Sequence, residues 1–208
     1  MTTRYLAALI ESVGIDRVVT LETHNHAAFD NAFRIPSIRL NAAEIFSDPL
    51  VEKIGDQPIA VMSPDIGGVK RAQLLRERLA RRLSSDISFV FMEKRRTAGV
   101  ISGDAVVGDI NGRSVLIYDD LIATGATLLR ASRAARSAGA ASIYIAAAHA
   151  AFLPHTVELF EAKVADVMFV TDSISLRPDF TQWLGNGLHM CSAAPPAADT
   201  IRALAHDA

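Results

Sequence analysis

The sequence of 208 residues predicts an α/β fold, a mostly parallel β-sheet with helices on both faces. The first observation behind this prediction is that short apolar, β-branched segments alternate along the chain with segments of helical periodicity. The second is that these strands are apolar almost throughout, which is typical of a sheet that is covered on both sides. The third is that polar clusters directly follow the strands, where open α/β sheets bind their ligands.

Composition excludes several classes of protein. Half of the residues are hydrophobic and 21% are charged, so we expect a folded chain with a substantial core. The net charge of −2 gives no electrostatic case for binding nucleic acid or an anionic membrane. The single cysteine, Cys191, excludes an internal disulfide. No signal peptide pattern and no apolar run long enough to cross a bilayer are present, so we expect cytoplasmic localisation.

The first part of the chain alternates helices and strands. The predicted helices are 2–13, 41–54 and 70–83, and the predicted strands are 17–21, 58–63 and 88–92. Four leucines share one face of the third helix, which we expect to face the core: Leu74, Leu75, Leu79 and Leu83. The arginines of this helix are most simply explained as its solvated face.

The second part begins with residues 97–103, which are small and polar and predict a mobile loop. Residues 104–109 predict a short strand or hairpin arm, and Asn111-Gly112 a turn. The remaining predicted strands are 115–118, 141–148, 165–170 and 188–192, and the remaining predicted helices are 128–135, 155–160 and 197–206.

The segment 115–127, VLIYDDLIATGAT, is the most informative stretch of the chain. An apolar strand is followed by Asp119 and Asp120, then by a turn rich in small and hydroxyl residues, then by a helix. The free N–H groups and positive dipole end of a helix N-terminus attract phosphate. Gly125 allows the backbone to approach such a ligand, and the Thr124 and Thr127 hydroxyls can donate to its oxygens.

The two carboxylates need a different role, because they would repel a phosphate. They are suited to accept hydrogen bonds from vicinal sugar hydroxyls, or to hold a divalent cation. The combination therefore points to a sugar phosphate. The alternative is an ordinary strand–turn–helix, with the acids in a solvated turn and Thr124 or Thr127 as a helix N-cap.

Three other polar clusters follow predicted strands. His24 and His26 are candidate metal ligands, although two histidines in a loop are often only solvated. Asp65 stands beside two glycines that permit close backbone approach. The basic segment 93–96 is either solvated or suited to bind a polyphosphate.

The central segment resembles the phosphoribosyl-pyrophosphate (PRPP) loop shared by phosphoribosyltransferases and ribose-phosphate pyrophosphokinases. Four further segments resemble the second of these families specifically. They are Glu-Thr-His at 22–24, Ser-Pro-Asp-Ile-Gly-Gly at 63–68, Glu-Lys-Arg-Arg at 93–96 and Val-Thr-Asp-Ser-Ile at 170–174. The resemblance extends from about Thr2 to the C-terminus, and it implies a type I phosphoribosyltransferase-like fold.

The resemblance implies transfer of the diphosphoryl group of ATP to the 1-hydroxyl of ribose 5-phosphate, giving PRPP and AMP. By this resemblance His24 and Asp65 bind Mg²⁺ and the ATP phosphates, while Lys94 and Arg96 neutralise charge on the transferred group. Asp119 and Asp120 hold the ribose hydroxyls. The 5-phosphate is held by Ala123, Thr124, Gly125, Ala126 and Thr127. Closure of segment 94–103 would exclude water from the site.

The same resemblance bears on organisation and partners. Residues 1–208 are expected to form one domain, similar to the second half of a two-domain enzyme, with the helix 197–206 packing back on the preceding part. The expected partners are ATP and ribose 5-phosphate, with no nucleic acid and no membrane, and the expected assembly is a homo-oligomer built from dimers.

The sequence also departs from the family pattern. Glu22 stands where the family has Asp, and segment 24–33 lacks the usual glutamine-rich sequence and is about one residue longer, which makes His26 an addition. The chain begins just before the second domain of such enzymes, whose other half supplies much of the ATP pocket. Two alternatives therefore stay open: a phosphoribosyltransferase that uses PRPP, and a non-catalytic regulatory homologue that binds sugar phosphate.

Overall fold

The computed structural model describes residues 2–84, 86–97 and 100–206, and the side chains of residues 94–97 and 100–104 lie outside the description. In chain order the helices are α1 (Thr2–Ser12), α2 (His26–Asp30), α3 (Ala42–Ile54), α4 (Val69–Ala80), α5 (Ala126–Ser137), α6 (Val157–Glu161) and α7 (Ala194–His206). The strands are β1 (Val18–Leu21), β2 (Ser37–Leu40), β3 (Ile59–Ser63), β4 (Ile87–Thr97), β5 (Val100–Val107), β6 (Ser114–Ile122), β7 (Ser142–Ala150), β8 (Val167–Thr171) and β9 (Leu188–Cys191).

The chain divides into two compact units. The first unit comprises Met1–Ala42 with Ala193–Ala208, and the second comprises Ala43–Ser192. In the first unit β1 pairs with β2 in parallel, from Val18 opposite Ser37 to Leu21 opposite Leu40. Helix α7, which begins three residues before the predicted start at 197, belongs to this unit. None of the described helices in the chain is both long and apolar enough to cross a membrane.

The second unit is built on a seven-stranded sheet in the order β5-β4-β3-β6-β7-β8-β9. All neighbouring strands are parallel except β4 and β5, which are antiparallel. Every residue of β3 and of β8 is buried, so both faces of the central sheet are covered. The predicted α/β architecture, a mostly parallel sheet with helices, is confirmed.

Consecutive residues of β6 show which helices cover the two faces of the sheet. Ile117 is buried in a cluster with Leu128 and Ala131 of α5. The next residue, Tyr118, is fully buried and meets Phe46 of α3 edge to face, with ring centroids 6.2 Å apart. Because side chains alternate across a strand, α5 and α3 cover opposite faces of the sheet.

The structure corrects the expectation of a loop over residues 97–103. Strand β4 continues through Thr97 and pairs with β5, from Phe91 opposite Val107 to Thr97 opposite Val100, with a register shift between Arg95 and Arg96. Residues 98 and 99 lie outside the description. The charged segment 93–96 therefore lies within a strand, which its polar composition concealed, and it pairs with the edge strand of the sheet.

Two smaller corrections concern a helix face and a missed strand. Leu74 of α4 is 40% exposed, because the face that packs inward carries Ala72, Leu75 and Leu79. Strand β2 was not predicted from the sequence, since its polar residues and short length gave no strand pattern. It exists because β1 offers a parallel partner.

Candidate functional site

The site is organised by a change of direction in the second unit's sheet. From β3 the chain proceeds to β4 on one side, and from β6 it proceeds to β7 on the other, while β3 and β6 are themselves neighbours. The loops that leave the carboxyl ends of such a pair diverge and leave a crevice between them, which is the usual ligand site of an open α/β sheet. Asp65 follows β3 and the two acids Asp119 and Asp120 lie near the end of β6.

Asp119 and Asp120 form a largely buried acid pair, with side chains 18% and 10% exposed. The Asp119 carboxylate accepts a hydrogen bond from the Asp120 backbone N–H at 2.9 Å. Strand β6 carries both acids, since its pairing with β7 continues past them to Ile122. They are therefore not part of a solvated turn.

The Arg71 guanidinium of α4 contacts both members of this pair. Its Nη1 lies 3.4 Å from Asp119 Oδ1 and 3.3 Å from Asp120 Oδ1. The Arg71 side chain is itself only 10% exposed, so the three charges meet away from bulk water. Interactions between charges are stronger there than at the surface.

The surroundings raise the pKa of Asp119 to about 7. Burial of the carboxyl group is the largest cause, and the hydrogen bond and negative charge of Asp120 add to it. The positive charge of Arg71 acts in the opposite direction and lowers the pKa. Near neutral pH the protonation state of Asp119 therefore depends on its neighbours Asp120 and Arg71.

The turn 123–127 connects the acid pair to α5. Gly125 is the N-cap of α5 and has φ +76°, a left-handed conformation that favours glycine. The carbonyl oxygen of Ala123 accepts hydrogen bonds from the Leu153 N–H at 2.8 Å and the Thr156 hydroxyl at 2.6 Å. The turn is thus fixed at its start, and the N-terminal amides of a 12-residue helix follow it.

A second tight turn follows β3. The Ser63 hydroxyl donates to the Asp65 carbonyl oxygen at 2.6 Å, and the Gly68 N–H donates to Asp65 Oδ1 at 2.9 Å. A side chain at position 68 would bring its Cβ within 2.8 Å of the Ser63 hydroxyl oxygen. The close packing of this turn accounts for the glycine at position 68.

The histidines predicted as metal ligands lie in the first unit. Glu22 is a buried residue there with φ +47°, and its Oε2 accepts a hydrogen bond from the Ala42 N–H at 3.3 Å. Its Oε1 lies 3.3 Å from His26 Nε2. The additional histidine at position 26 therefore has Glu22 as a partner within the first unit.

The metal assignment of His24 and Asp65 spans the two units, since His24 belongs to the first and Asp65 to the second. Within the described part of the chain, no group of three or more His, Cys, Asp or Glu side chains is arranged to hold a metal ion. Mg²⁺ is usually bound by one or two carboxylates together with substrate phosphates and water. The carboxylate oxygens of Asp65 are ligands of the kind this ion prefers, so this residue fits it.

Lys94 and Arg96 belong to β4, where Lys94 pairs with Asp104 and Arg96 with Ile101. Their side chains lie outside the described part of the structure, so the charge-neutralising role assigned to them stays a prediction.

Arg71 is the site residue that the sequence interpretation missed. It was grouped with the solvated arginines of α4, whereas its side chain is buried against the acid pair. A signal for it existed, because Arg71 lies in the first turn of the helix that follows Gly67-Gly68. That position is at the carboxyl end of a parallel strand, where ligand sites form.

Comparisons with known proteins identify the family of this chain. A family model described as "Phosphoribosyl transferase domain" matches residues 30–170. The chain is 30% identical over 208 residues to the ribose-phosphate pyrophosphokinase of Pasteurella multocida, covering all of this chain and 64% of that protein. It is 33% identical over 207 residues to the enzyme of the same name from Helicobacter hepaticus, covering all of this chain and 63% of that protein.

A solved structure is also similar. The crystal structure of phosphoribosylpyrophosphate synthetase from Mycobacterium smegmatis matches with a TM-score of 0.84 and 29% identity, covering all of this chain and 64% of the other. The chain thus spans just under two thirds of the length of these relatives. The resemblance predicted from the sequence is confirmed.

Proposed function

Because this chain belongs to the phosphoribosyl transferase domain family, we propose that it is the sugar-phosphate-binding part of a ribose-phosphate diphosphokinase. Such an enzyme transfers the diphosphoryl group of ATP to the 1-hydroxyl of ribose 5-phosphate, giving PRPP and AMP. The observation that carries the proposal is the buried acid pair Asp119–Asp120, placed at the sheet's change of direction and directly before the turn with left-handed Gly125.

In this proposal the acid pair recognises the ribose. Two adjacent carboxylates accept hydrogen bonds from the two vicinal hydroxyls of the sugar, and such charge-assisted bonds are stronger than neutral ones. Burial of both acids excludes competing water, which strengthens the preference for a ligand that supplies two donors.

The 5-phosphate binds at the turn that follows. Backbone N–H groups of residues 123–127 and the hydroxyls of Thr124 and Thr127 donate to its oxygens, at the positive end of the α5 dipole. The sugar and phosphate sites are contiguous in sequence, so one rigid segment fixes the position of the 1-hydroxyl.

The reaction itself requires positioning and charge neutralisation more than covalent catalysis. The 1-hydroxyl oxygen loses its proton to solvent and forms a bond to the β-phosphorus of ATP. The bond from that phosphorus to the α–β bridging oxygen breaks, and AMP leaves. Lys94 and Arg96 neutralise negative charge on the diphosphoryl group. Asp65 would hold Mg²⁺, which supplies positive charge to the phosphates when bound. The same role for His24 stays a prediction from the sequence.

The test of the reaction uses the chain with ATP, Mg²⁺ and ribose 5-phosphate, following AMP and PRPP by mass spectrometry. Formation of both products, lost in Lys94→Ala, would support the proposal for these 208 residues. Absence of product together with tight ribose 5-phosphate binding would support the regulatory alternative, or a need for the remainder of a longer protein. Consumption of PRPP with a nucleobase would support the phosphoribosyltransferase alternative instead.

The test of the site is calorimetry of ribose 5-phosphate binding to the double variant Asp119→Ala with Asp120→Ala. We expect binding at least about 10-fold weaker, because hydrogen bonds to charged groups contribute about 1.5–3 kcal/mol each. Glu44→Ala with Asp48→Ala is the matched control, since it removes the same charge from exposed acids of the same unit. Equal affinity of the two double variants would contradict the ribose assignment.

A further inference from the structure

We propose that Arg71 is a positioning residue of the sugar site, whose guanidinium bridges Asp119 and Asp120 and holds both carboxylates ready to accept the ribose hydroxyls. This inference rests on the proposed function of the acid pair.

The geometry is that of one cation shared by two anions. A single nitrogen of Arg71 lies 3.4 Å from Asp119 and 3.3 Å from Asp120, and the side chains of all three residues are at most 18% exposed. Adjacent carboxylates repel each other, and the repulsion is strong where water is scarce. A shared guanidinium offsets this repulsion and limits the rotation of both carboxylates.

The bridge also favours the chemical form that the sugar needs. A carboxylate accepts from a hydroxyl with either oxygen, whereas a protonated carboxyl group presents a donor in place of an acceptor. Burial and the side chain of Asp120 favour the protonated form of Asp119, whereas the backbone N–H of Asp120 and the positive charge of Arg71 favour the carboxylate. The opposite residue on β7 is Ala147, which contributes no charge.

The turn after β3 leads into the first turn of α4, where Arg71 contacts the acid pair. A Cβ at position 68 would lie 2.8 Å from the Ser63 hydroxyl oxygen and 3.6 Å from Arg71 Nη1. Asp65 fixes the turn from its other side by accepting the Gly68 N–H. The segment 63–71 therefore connects the candidate Mg²⁺ ligand Asp65 to the acid pair of β6 through Arg71.

The first experiment measures ribose 5-phosphate affinity by calorimetry for wild type, Arg71→Met and Arg71→Lys. We expect Arg71→Met to bind about 10- to 100-fold more weakly, the range for loss of interactions with a charged group. Arg71→Lys should recover part of the loss, because it restores the charge without the planar fork of donors. Arg78→Met, which removes an arginine of the same helix that pairs with Glu44, should bind like wild type.

The second experiment separates positioning from general stability. Carbon-detected NMR of the free protein follows the titration of the Asp119 carboxyl group, which should move to higher pH in Arg71→Met and remain unchanged in Arg78→Met. Arg71→Gln, which keeps a polar side chain without the charge, replaces Arg71→Met in both experiments if that variant does not fold.

The outcomes distinguish the two proposals. If wild type binds ribose 5-phosphate and the uncharged Arg71 variants bind equally well, the role of Arg71 is wrong and the proposed function stands. If wild type does not bind ribose 5-phosphate, the proposed function fails and the positioning role fails with it. An unchanged Asp119 titration in the uncharged variants would also overturn the bridge.

Discussion

At the scale of single residues, the buried acid Asp119 couples the site to pH. Its pKa is about 7 in the folded protein against a usual value of 3.8. Between these values the folded state binds a proton that the unfolded state has lost, so the free energy of unfolding contributed by this group falls as pH rises from about 4 to 7. The slope is at most about 1.4 kcal/mol per pH unit, and the contribution levels off as the pH rises beyond the folded-state pKa.

Urea unfolding of wild type and Asp119→Asn at pH 5, 6, 7 and 8 measures this effect. The variant should gain stability relative to wild type as the pH rises to 7, because it has no buried carboxyl group whose ionisation would destabilise the folded state. Asp179→Asn is the control. Arg177 lowers the pKa of that exposed acid, so its difference from wild type should not vary between pH 5 and 8. A flat difference for Asp119→Asn would contradict the raised pKa.

The sequence predicted the residue types of the site better than their partners. Asp119, Asp120 and Gly125 were identified because strand, acids, turn and helix follow one another in the chain. Arg71 was missed because helical periodicity assigns a residue to a face, while the contact with β6 depends on which strands are neighbours. Glu22 shows the same limit, since its partner Ala42 is 20 residues away.

At the scale of elements, the turn between β6 and α5 combines backbone strain with close packing. The backbone at Gly125 has φ +76°, and a Cβ added there would lie 3.2 Å from the Cβ of Leu159 in α6. We expect Gly125→Ala to lower the free energy of unfolding by about 2–3 kcal/mol, made up of the left-handed conformation and the displaced contact. Phosphate binding at the turn should weaken as well, since the N-terminal amides of α5 move.

Gly112→Ala is the matched control for this prediction. Gly112 has φ +71° in the turn before β6, and a Cβ there would meet nothing within 4 Å. It should therefore cost only the conformational part, about 1–2 kcal/mol, and leave ribose 5-phosphate affinity unchanged. Chemical denaturation and calorimetry on both variants measure the difference, and equal losses would contradict a role for the Leu159 contact.

The sequence predicted the ends of a strand where the strand's own residues determine them. It did not predict them where hydrogen bonding to a neighbouring strand determines them. Strand β3 lies within its predicted range because its first four residues are apolar and all five are buried. Strand β6 runs four residues beyond its predicted end, because β7 continues to offer hydrogen-bonding partners as far as Ala150. Residues 97–103 were predicted as a loop for the same reason, since the antiparallel pairing of β4 with β5 extends strand structure to Thr97 and Val100.

At the scale of the whole molecule, the two compact units differ in how much apolar surface they bury. Among the described residues of the first unit, the buried apolar side chains are those of Ala7, Phe33 and Ala42. Its helix α1 leaves Leu6 and Leu9 52% and 67% exposed. The second unit instead contains the continuous core of the seven-stranded sheet. A small core stabilises a unit weakly.

We therefore expect the first unit to lose its structure before the second when urea is added. Trp183, the single tryptophan, stacks on Phe160 at 4.5 Å and reports on the second unit alone. Far-UV circular dichroism reports on both units, so its transition should begin at lower urea than the Trp183 fluorescence transition. Val13→Asp, at an exposed position directly after α1, should leave the fluorescence midpoint unchanged. Coincident transitions would instead indicate that the 208 residues unfold as the one domain predicted from the sequence.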